Sequence, residues 1–243
     1  MTTALELRGL AAGYDSVPAV HQLDLTVGDG EIVALLGPNG AGKTTTLHTI
    51  AGLLPRLGGD IGLFGAPLTG RRPDRIARLG LALVPEQRGV FHGLTVEQNL
   101  RLHQHSRGGR HLASALERFP ALGPVLKRRA GLLSGGEQQM LALAGALASS
   151  PRLLMIDEMS HGLAPVVVER LLPALRTAAA DTGMAVLLVE QHVHTALDIA
   201  DRAYVLNRGR LVLHGTAAEL RRDPGRIEAA YLDARNREPD LTP

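Results

Sequence analysis

The sequence predicts an α/β fold built on a mostly parallel core sheet, and three observations predict it. Short apolar runs at residues 31–36, 153–156, 185–189 and 203–206 alternate with helical stretches, the pattern of parallel strands covered on both faces. A glycine-rich turn joins the first of these runs to a helical period. Between residues 95 and 150 the texture turns to helical periods alone, which points to a helical subdomain inserted into the α/β chain.

Taken in order, the N-terminus is β-rich: residues 5–7, 22–27 and 31–36 read as strands separated by Gly and Asp turns. After 31–36 comes Gly37-Pro38-Asn39-Gly40-Ala41-Gly42-Lys43-Thr44, a full match to G-x-x-x-x-G-K-[ST]. Leu47, Ile50, Ala51 and Leu54 then fall at i, i+3, i+4 and i+7, so a helix follows the loop. The helical stretch is broken at Ser106-Arg107-Gly108-Gly109 and at Pro120-Ala121-Leu122-Gly123-Pro124. Strands return at 153–156, 185–189 and 203–206. The polar tail at 235–243 carries two prolines and is expected to fray. The chain shows no internal repeat.

The loop's chemistry follows from its residues. Gly37, Gly40 and Gly42 let the backbone turn with its amides inward, and the new helix aims its positive end at the same point. An anion fits there. Lys43 reaches the β- and γ-phosphates of a nucleotide, and the Thr44 hydroxyl is placed to hold Mg2+ bound to them. A glycine turn that matches by chance is the plain alternative; the strand before it and the helix after it argue against that.

Two further segments bear on the reaction. The run 153–156 ends in Asp157-Glu158, and carboxylates at the C-terminal edge of an α/β sheet face the ligand. Asp157 would help hold Mg2+, and Glu158 would orient and deprotonate a water for attack on the γ-phosphate. Read without the phosphate loop, the same pair simply begins a helix. In Leu133-Ser134-Gly135-Gly136-Glu137-Gln138-Gln139, Ser134 and Glu137 form a capping box ahead of Met140, Leu141, Leu143, Ala144 and Leu147. This reads either as a well-capped helix and nothing more or, given Gly135 and Gly136, as a second anion site.

Composition narrows the class. A 243-residue chain that is 45% hydrophobic and 21% charged buries a sizeable core, and it has no cysteine for a disulfide or thiolate metal site. Met1-Thr2-Thr3-Ala4 with Glu6 is neither a basic leader nor an apolar run, so the chain is expected not to be exported. The longest helical stretch free of ionised side chains, 138–151, falls short of the roughly 20 residues that span a bilayer. Lysine plus arginine (26) barely exceeds aspartate plus glutamate (24), and aromatics are only 2%, so Arg71-Arg72, Lys127-Arg128-Arg129 and Arg221-Arg222 read as solvated faces and no nucleic-acid partner is expected. His192 with His194, or His103 with His105 and His111, lack metal-ligand spacing, so no metal beyond Mg2+ is assigned.

With these motifs in this order, nearly the whole chain resembles the ATP-binding subunits of ABC transporters. The Walker A motif matches at 37–44, the signature at 133–138, Walker B at 153–158 and the switch histidine at His192. The resemblance implies a P-loop NTPase of ABC type with a mostly parallel core sheet, an N-terminal antiparallel β subdomain and an inserted helical subdomain. One domain spans 1–243, with 1–86 and 151–243 as the nucleotide-binding core lobe and 87–150 as the helical subdomain. It further implies a head-to-tail pair in which ATP is sandwiched between one P-loop and the other subunit's signature. Tyr14 would stack on adenine, although by itself it reads as an ordinary half-buried core tyrosine. Thr45 would support the phosphates laid along Gly37, Pro38, Asn39, Gly40, Ala41 and Gly42. Ser134, Gly135 and Gly136 would meet the opposite nucleotide, and His192, following the strand at 185–189, would act as a γ-phosphate sensor.

Within the family the chain is similar to the branched-chain amino acid branch, which also serves urea and short amides, judging from Val84-Pro85-Glu86, Gly93-Leu94-Thr95-Val96-Glu97-Gln98-Asn99-Leu100, Gly162-Leu163-Ala164-Pro165 and Leu188-Val189-Glu190-Gln191-His192. It departs from the general pattern at three places. Glu86 stands where most members carry the Q-loop glutamine, with Gln87 next door, so either residue is a candidate for sensing Mg2+. Met159 replaces the proline that commonly follows the catalytic glutamate. His161 lies in the D-loop, where it would add pH sensitivity at the dimer seam. The expected function is an ATPase that powers a membrane importer from the cytoplasmic face, with a polytopic permease, a second ATPase subunit (sister or self) and, indirectly, a solute-binding protein as partners. The alternative is a soluble ABC ATPase of cofactor assembly, nucleic acid or ribosomes, with no permease.

Overall fold

The computed structural model describes residues 2–68, 70–103 and 110–233. The break expected at 106–109, His105 and the tail at 235–243 lie outside the described residues.

The chain opens with a hairpin of β1 (Thr3–Tyr14) and β2 (Val17–Gly28), antiparallel and joined through Asp15 and Ser16, both at positive φ. β3 (Ile32–Leu36) leads through the glycine loop into α1 (Lys43–Ile50). β4 (Arg56–Leu63) and the short β5 (Ala66–Pro67) complete an antiparallel sheet in the order β2-β1-β4-β5. α2 (Pro73–Arg78) and β6 (Leu81–Val84) precede the helical stretch, which contains α3 (Val96–Leu102), α4 (Arg110–Arg118), 3-10 turns at Pro120–Val125 and Ala130–Leu132, and α5 (Gly135–Ala148). The chain then alternates through β7 (Leu153–Asp157), α6 (Pro165–Thr182), β8 (Ala185–Glu190), α7 (Val193–Leu197) and β9 (Arg202–Asn207). It ends in β10 (Arg210–Thr216), α8 (Ala217–Arg222) and α9 (Pro224–Asp233).

The second sheet has six strands in the order β10-β9-β3-β8-β7-β6, and only β9 and β10 pair antiparallel. The expected mostly parallel α/β sheet and antiparallel N-terminal sheet are both present. Side chains alternate across the central strands. Val33, Leu35, Leu153, Met155, Leu187 and Val189 join the apolar cluster of β1, β2 and α1. Ile32, Ala34, Leu36, Leu154, Ile156, Val186 and Leu188 join that of α5 and α6. Each Val, Leu, Ile or Met side chain among them contributes about 1.5–3 kcal/mol on burial, which is why the strands read as unbroken apolar runs. Because β3, β8 and β7 are adjacent and parallel, the segments after Leu36, Asp157 and Glu190 leave one common edge of the sheet.

Local details differ from the expectations. β1 runs well beyond 5–7 because register shifts, one of them around Gly9 at φ 57°, bend the strand without ending it. α1 stops at Ile50: Gly52 at φ 72° and the bond from Leu53 N to His48 O (2.8 Å) close its C-terminus, leaving Leu54 outside. The proline break at 120–124 coils into a 3-10 turn. Among the described residues no helix is long and apolar enough to cross a membrane.

Candidate nucleotide site

The loop after β3 is pressed against its neighbours so closely that glycine is required at two positions. A Cβ on Gly37 would lie 2.3 Å from the Leu206 carbonyl oxygen of β9. Gly42, at φ 100°, would put one 2.8 Å from Val20 Cγ2 and 2.9 Å from the Ala19 carbonyl oxygen. The tip, Asn39 and Gly40, is exposed, and Pro38 is half-buried. Lys43 opens α1 and is only 4% exposed. Its Nζ donates to the carbonyls of Gly37 (2.9 Å) and Pro38 (3.2 Å) and lies 3.3 Å from Glu158 Oε1. Loop, lysine and carboxylate therefore meet at the sheet edge. Thr45 is buried behind them.

Asp157 ends β7 at 2% exposure, and its Oδ1 has no hydrogen-bond partner. Burial pushes its pKa up, the Thr44 hydroxyl bond opposes that, and the nearby Glu158 and Glu86 carboxylates push it further. An orphaned buried oxygen beside a threonine hydroxyl fits a hard, oxygen-seeking cation such as Mg2+. Glu158 stands at φ 47° with its amide donating to the Val189 carbonyl (3.0 Å). No helix begins here, contrary to the plain reading of Asp157-Glu158: β7 runs to Asp157 and α6 starts only at Pro165.

His192 caps α7 just past β8, with its ring largely exposed. Its Nδ1 lies 3.1 Å from Ser160 Oγ, which donates to Glu190 Oε2 (2.9 Å), while the Ser160 amide donates to Glu190 Oε1 (2.9 Å). Glu190 is 1% exposed, so this carboxylate is a buried bracket binding the turn after β7 to the end of β8.

Ser134 caps α5 with both arms of the box formed: Glu137 N donates to Ser134 Oγ (3.3 Å) and Ser134 N to Glu137 Oε2 (2.7 Å). The second bond holds the Glu137 pKa below the usual glutamate range. A Cβ on Gly136 would meet Val167 at 2.9 Å, and one on Gly135 would meet Arg88 and Leu163. The surroundings of this segment are thus Arg88, Leu163 and Val167 rather than the 37–44 loop. Tyr14 closes β1 at 51% exposure, so it is not the half-buried core tyrosine of the plain reading. Glu86 and Gln87 are both exposed, just beyond β6.

Residues 20–161 match the family model described as ABC transporter, more than half of the chain. The chain belongs to the ABC transporter family. This ABC cassette is 42% identical over 228 residues to the high-affinity branched-chain amino acid transport ATP-binding protein BraG of Pseudomonas aeruginosa, covering 90% of this chain and 95% of that one. It is 39% identical to the probable branched-chain amino acid transport ATP-binding protein LivF of Archaeoglobus fulgidus, over 87% and 91% of the two chains. A solved ATP-binding subunit of an ABC transporter superposes with a TM-score of 0.80 at 32% identity, over 95% of this chain and 97% of that one. The ABC chain is accordingly an ATPase, the ATP-binding subunit of a transporter.

Three side chains of this ABC ATPase that the sequence analysis gave no role now stand out. Ser160 and Glu190 hold His192, and Arg88 Nη1 donates to Gln138 Oε1 (3.0 Å) beside the signature. Only a glutamate closing an apolar strand hinted at the first pair; nothing in the spacing hinted at Arg88.

Proposed function

We propose that this subunit powers a membrane importer for branched-chain or other hydrophobic amino acids, working as one of two ATPase subunits on the cytoplasmic face beneath a polytopic permease. The observation that carries the hydrolytic part of the reading is the 3.3 Å approach of Lys43 to Glu158 across the phosphate loop. The 42% identity to BraG supports the solute class, which never touches this chain.

In this reading the loop amides of 37–42 bind the phosphates, Tyr14 stacks on adenine, and Lys43 neutralises the β- and γ-oxygens, with Thr45 behind them. Thr44 and Asp157 hold Mg2+, which when bound neutralises charge on those oxygens. Glu158 orients the attacking water and accepts its proton. His192, aimed by Ser160 and Glu190, contacts the γ-phosphate. Ser134, Gly135 and Gly136 serve the nucleotide of the other subunit, with Glu86 at the Q-loop position. Residues 1–86 and 151–243 act as the core lobe and 87–150 as the moving helical one. A cleft of about 580 Å3 lined by Ala77, Val84, Pro85, Val90, His103 and Leu141 is where we place the permease helix.

The test is purification from detergent followed by reconstitution. Recovery with a polytopic permease, and ATP-dependent movement of leucine toward the ATPase face of vesicles, is expected. Recovery with soluble proteins alone would point to the non-transport ABC ATPases, and movement in the other direction would overturn the importer.

A further inference from the structure

Three donor groups from separate turns converge beside Lys43: Glu86 beyond β6, Glu158 beyond β7, and His161 three residues later. Their ligand atoms all lie within 4.8 Å of one another, and His161 Nδ1 is 3.5 Å from Glu158 Oε2. Glu86 and His161 are exposed and Glu158 is partly so, which leaves an entry path from solvent. Glu158 divides its oxygens, Oε1 toward Lys43 and Oε2 toward His161, so an ion held by Oε2 leaves the lysine pair intact.

A second observation stands apart from these three. Asp157, the residue before Glu158, is buried to 2% exposure with an unpartnered Oδ1. Lys43 pairs with Glu158, whose neighbours here include the carboxylates of Glu86 and of the adjoining Asp157, an excess of carboxylate over cation that a divalent ion relieves.

We propose that Glu86, Glu158 and His161 form a site for a late first-row divalent cation, of which Zn2+ is the probe, distinct from the Thr44–Asp157 pair assigned to Mg2+. The imidazole decides the class. Mg2+ takes oxygen donors, whereas Zn2+ and Co2+ accept one nitrogen and two carboxylates with water in the fourth place. Tetrahedral Zn2+ at its usual bond lengths sets donors about 3.3 Å apart, close to the His161–Glu158 separation already present. Occupancy engages Glu158 Oε2 and so withdraws it from proton transfer; that consequence rests on the proposed role of Glu158, while binding itself does not.

The test titrates nucleotide-free wild-type protein with Zn2+ by calorimetry and with Co2+ by visible absorption. One site with a dissociation constant of micromolar order is expected, weakened at least tenfold by H161L and by E86Q, with the tetrahedral Co2+ bands lost in H161L. Absence of binding, or equal affinity in wild type and both variants, overturns the site. In a separate ATPase assay at saturating Mg-ATP, Zn2+ should lower turnover of wild type more than that of H161L. Binding that H161L abolishes, without inhibition of the wild type, upholds the site and counts instead against Glu158 as the base.

Discussion

Glu158 reaches Lys43 with one carboxylate oxygen and His161 with the other, from a backbone held in the left-handed region at φ 47°. A residue kept there has its side chain aimed by the strand before it and the turn after it. E158Q should therefore keep ATP binding while phosphate release slows by about 10²–10⁴-fold, the ordinary contribution of a general base. Unchanged turnover in E158Q would remove the base from the scheme. K43A strips the buried cation from the phosphate loop and should lose most nucleotide binding, read by equilibrium binding of a labelled ATP. At this scale the sequence was informative wherever chemistry sits in a contiguous string, as in 37–44 and 157–158. It did not bring Ser160 and Glu190 together, because their meeting depends on β7 and β8 lying side by side, a relation between residues 30 positions apart.

Helix α5 shows what a single element owes to its first turn. The Glu137 carboxylate accepts from the Ser134 amide, and this bond lowers its native pKa. The sign follows: the unfolded chain binds the proton more readily, so the contribution is fully present above the unfolded value of about 4.3 and is lost as pH falls through the lower native value. E137Q should lower the melting temperature at neutral pH and flatten the acid limb of the stability profile, measured by thermal melts from pH 3 to 7. Ser134 with Glu137 was plain in the sequence because a capping box is local. β4 was not, since Gly58, Gly59 and Asp60 are poor strand residues and only Ile61 and Leu63 are buried. Nor was the end of α1, where apolar periodicity continued to Leu54 after Gly52 had already turned the chain.

For the molecule as a whole, the parallel order β3-β8-β7 is what gathers three distant motif ends on one edge, and its two faces feed separate apolar clusters. Leu188, fully buried in the strand between β3 and β7, faces the α5 and α6 side. L188A should cost about 2–5 kcal/mol and lower the melting temperature by several degrees, followed by calorimetry, and nucleotide binding should weaken with it because the edge is set by the same strand. The sheet was readable from its apolar runs, whereas which strands neighbour one another was not. The Arg88 guanidinium joins the segment that leaves β6 to Gln138 on the first turns of α5. Whatever pushes on that segment reaches the turn at Ser134 through this contact, so a signal arriving from outside the cassette and the readiness of the serine tip to engage a neighbour would share one clock.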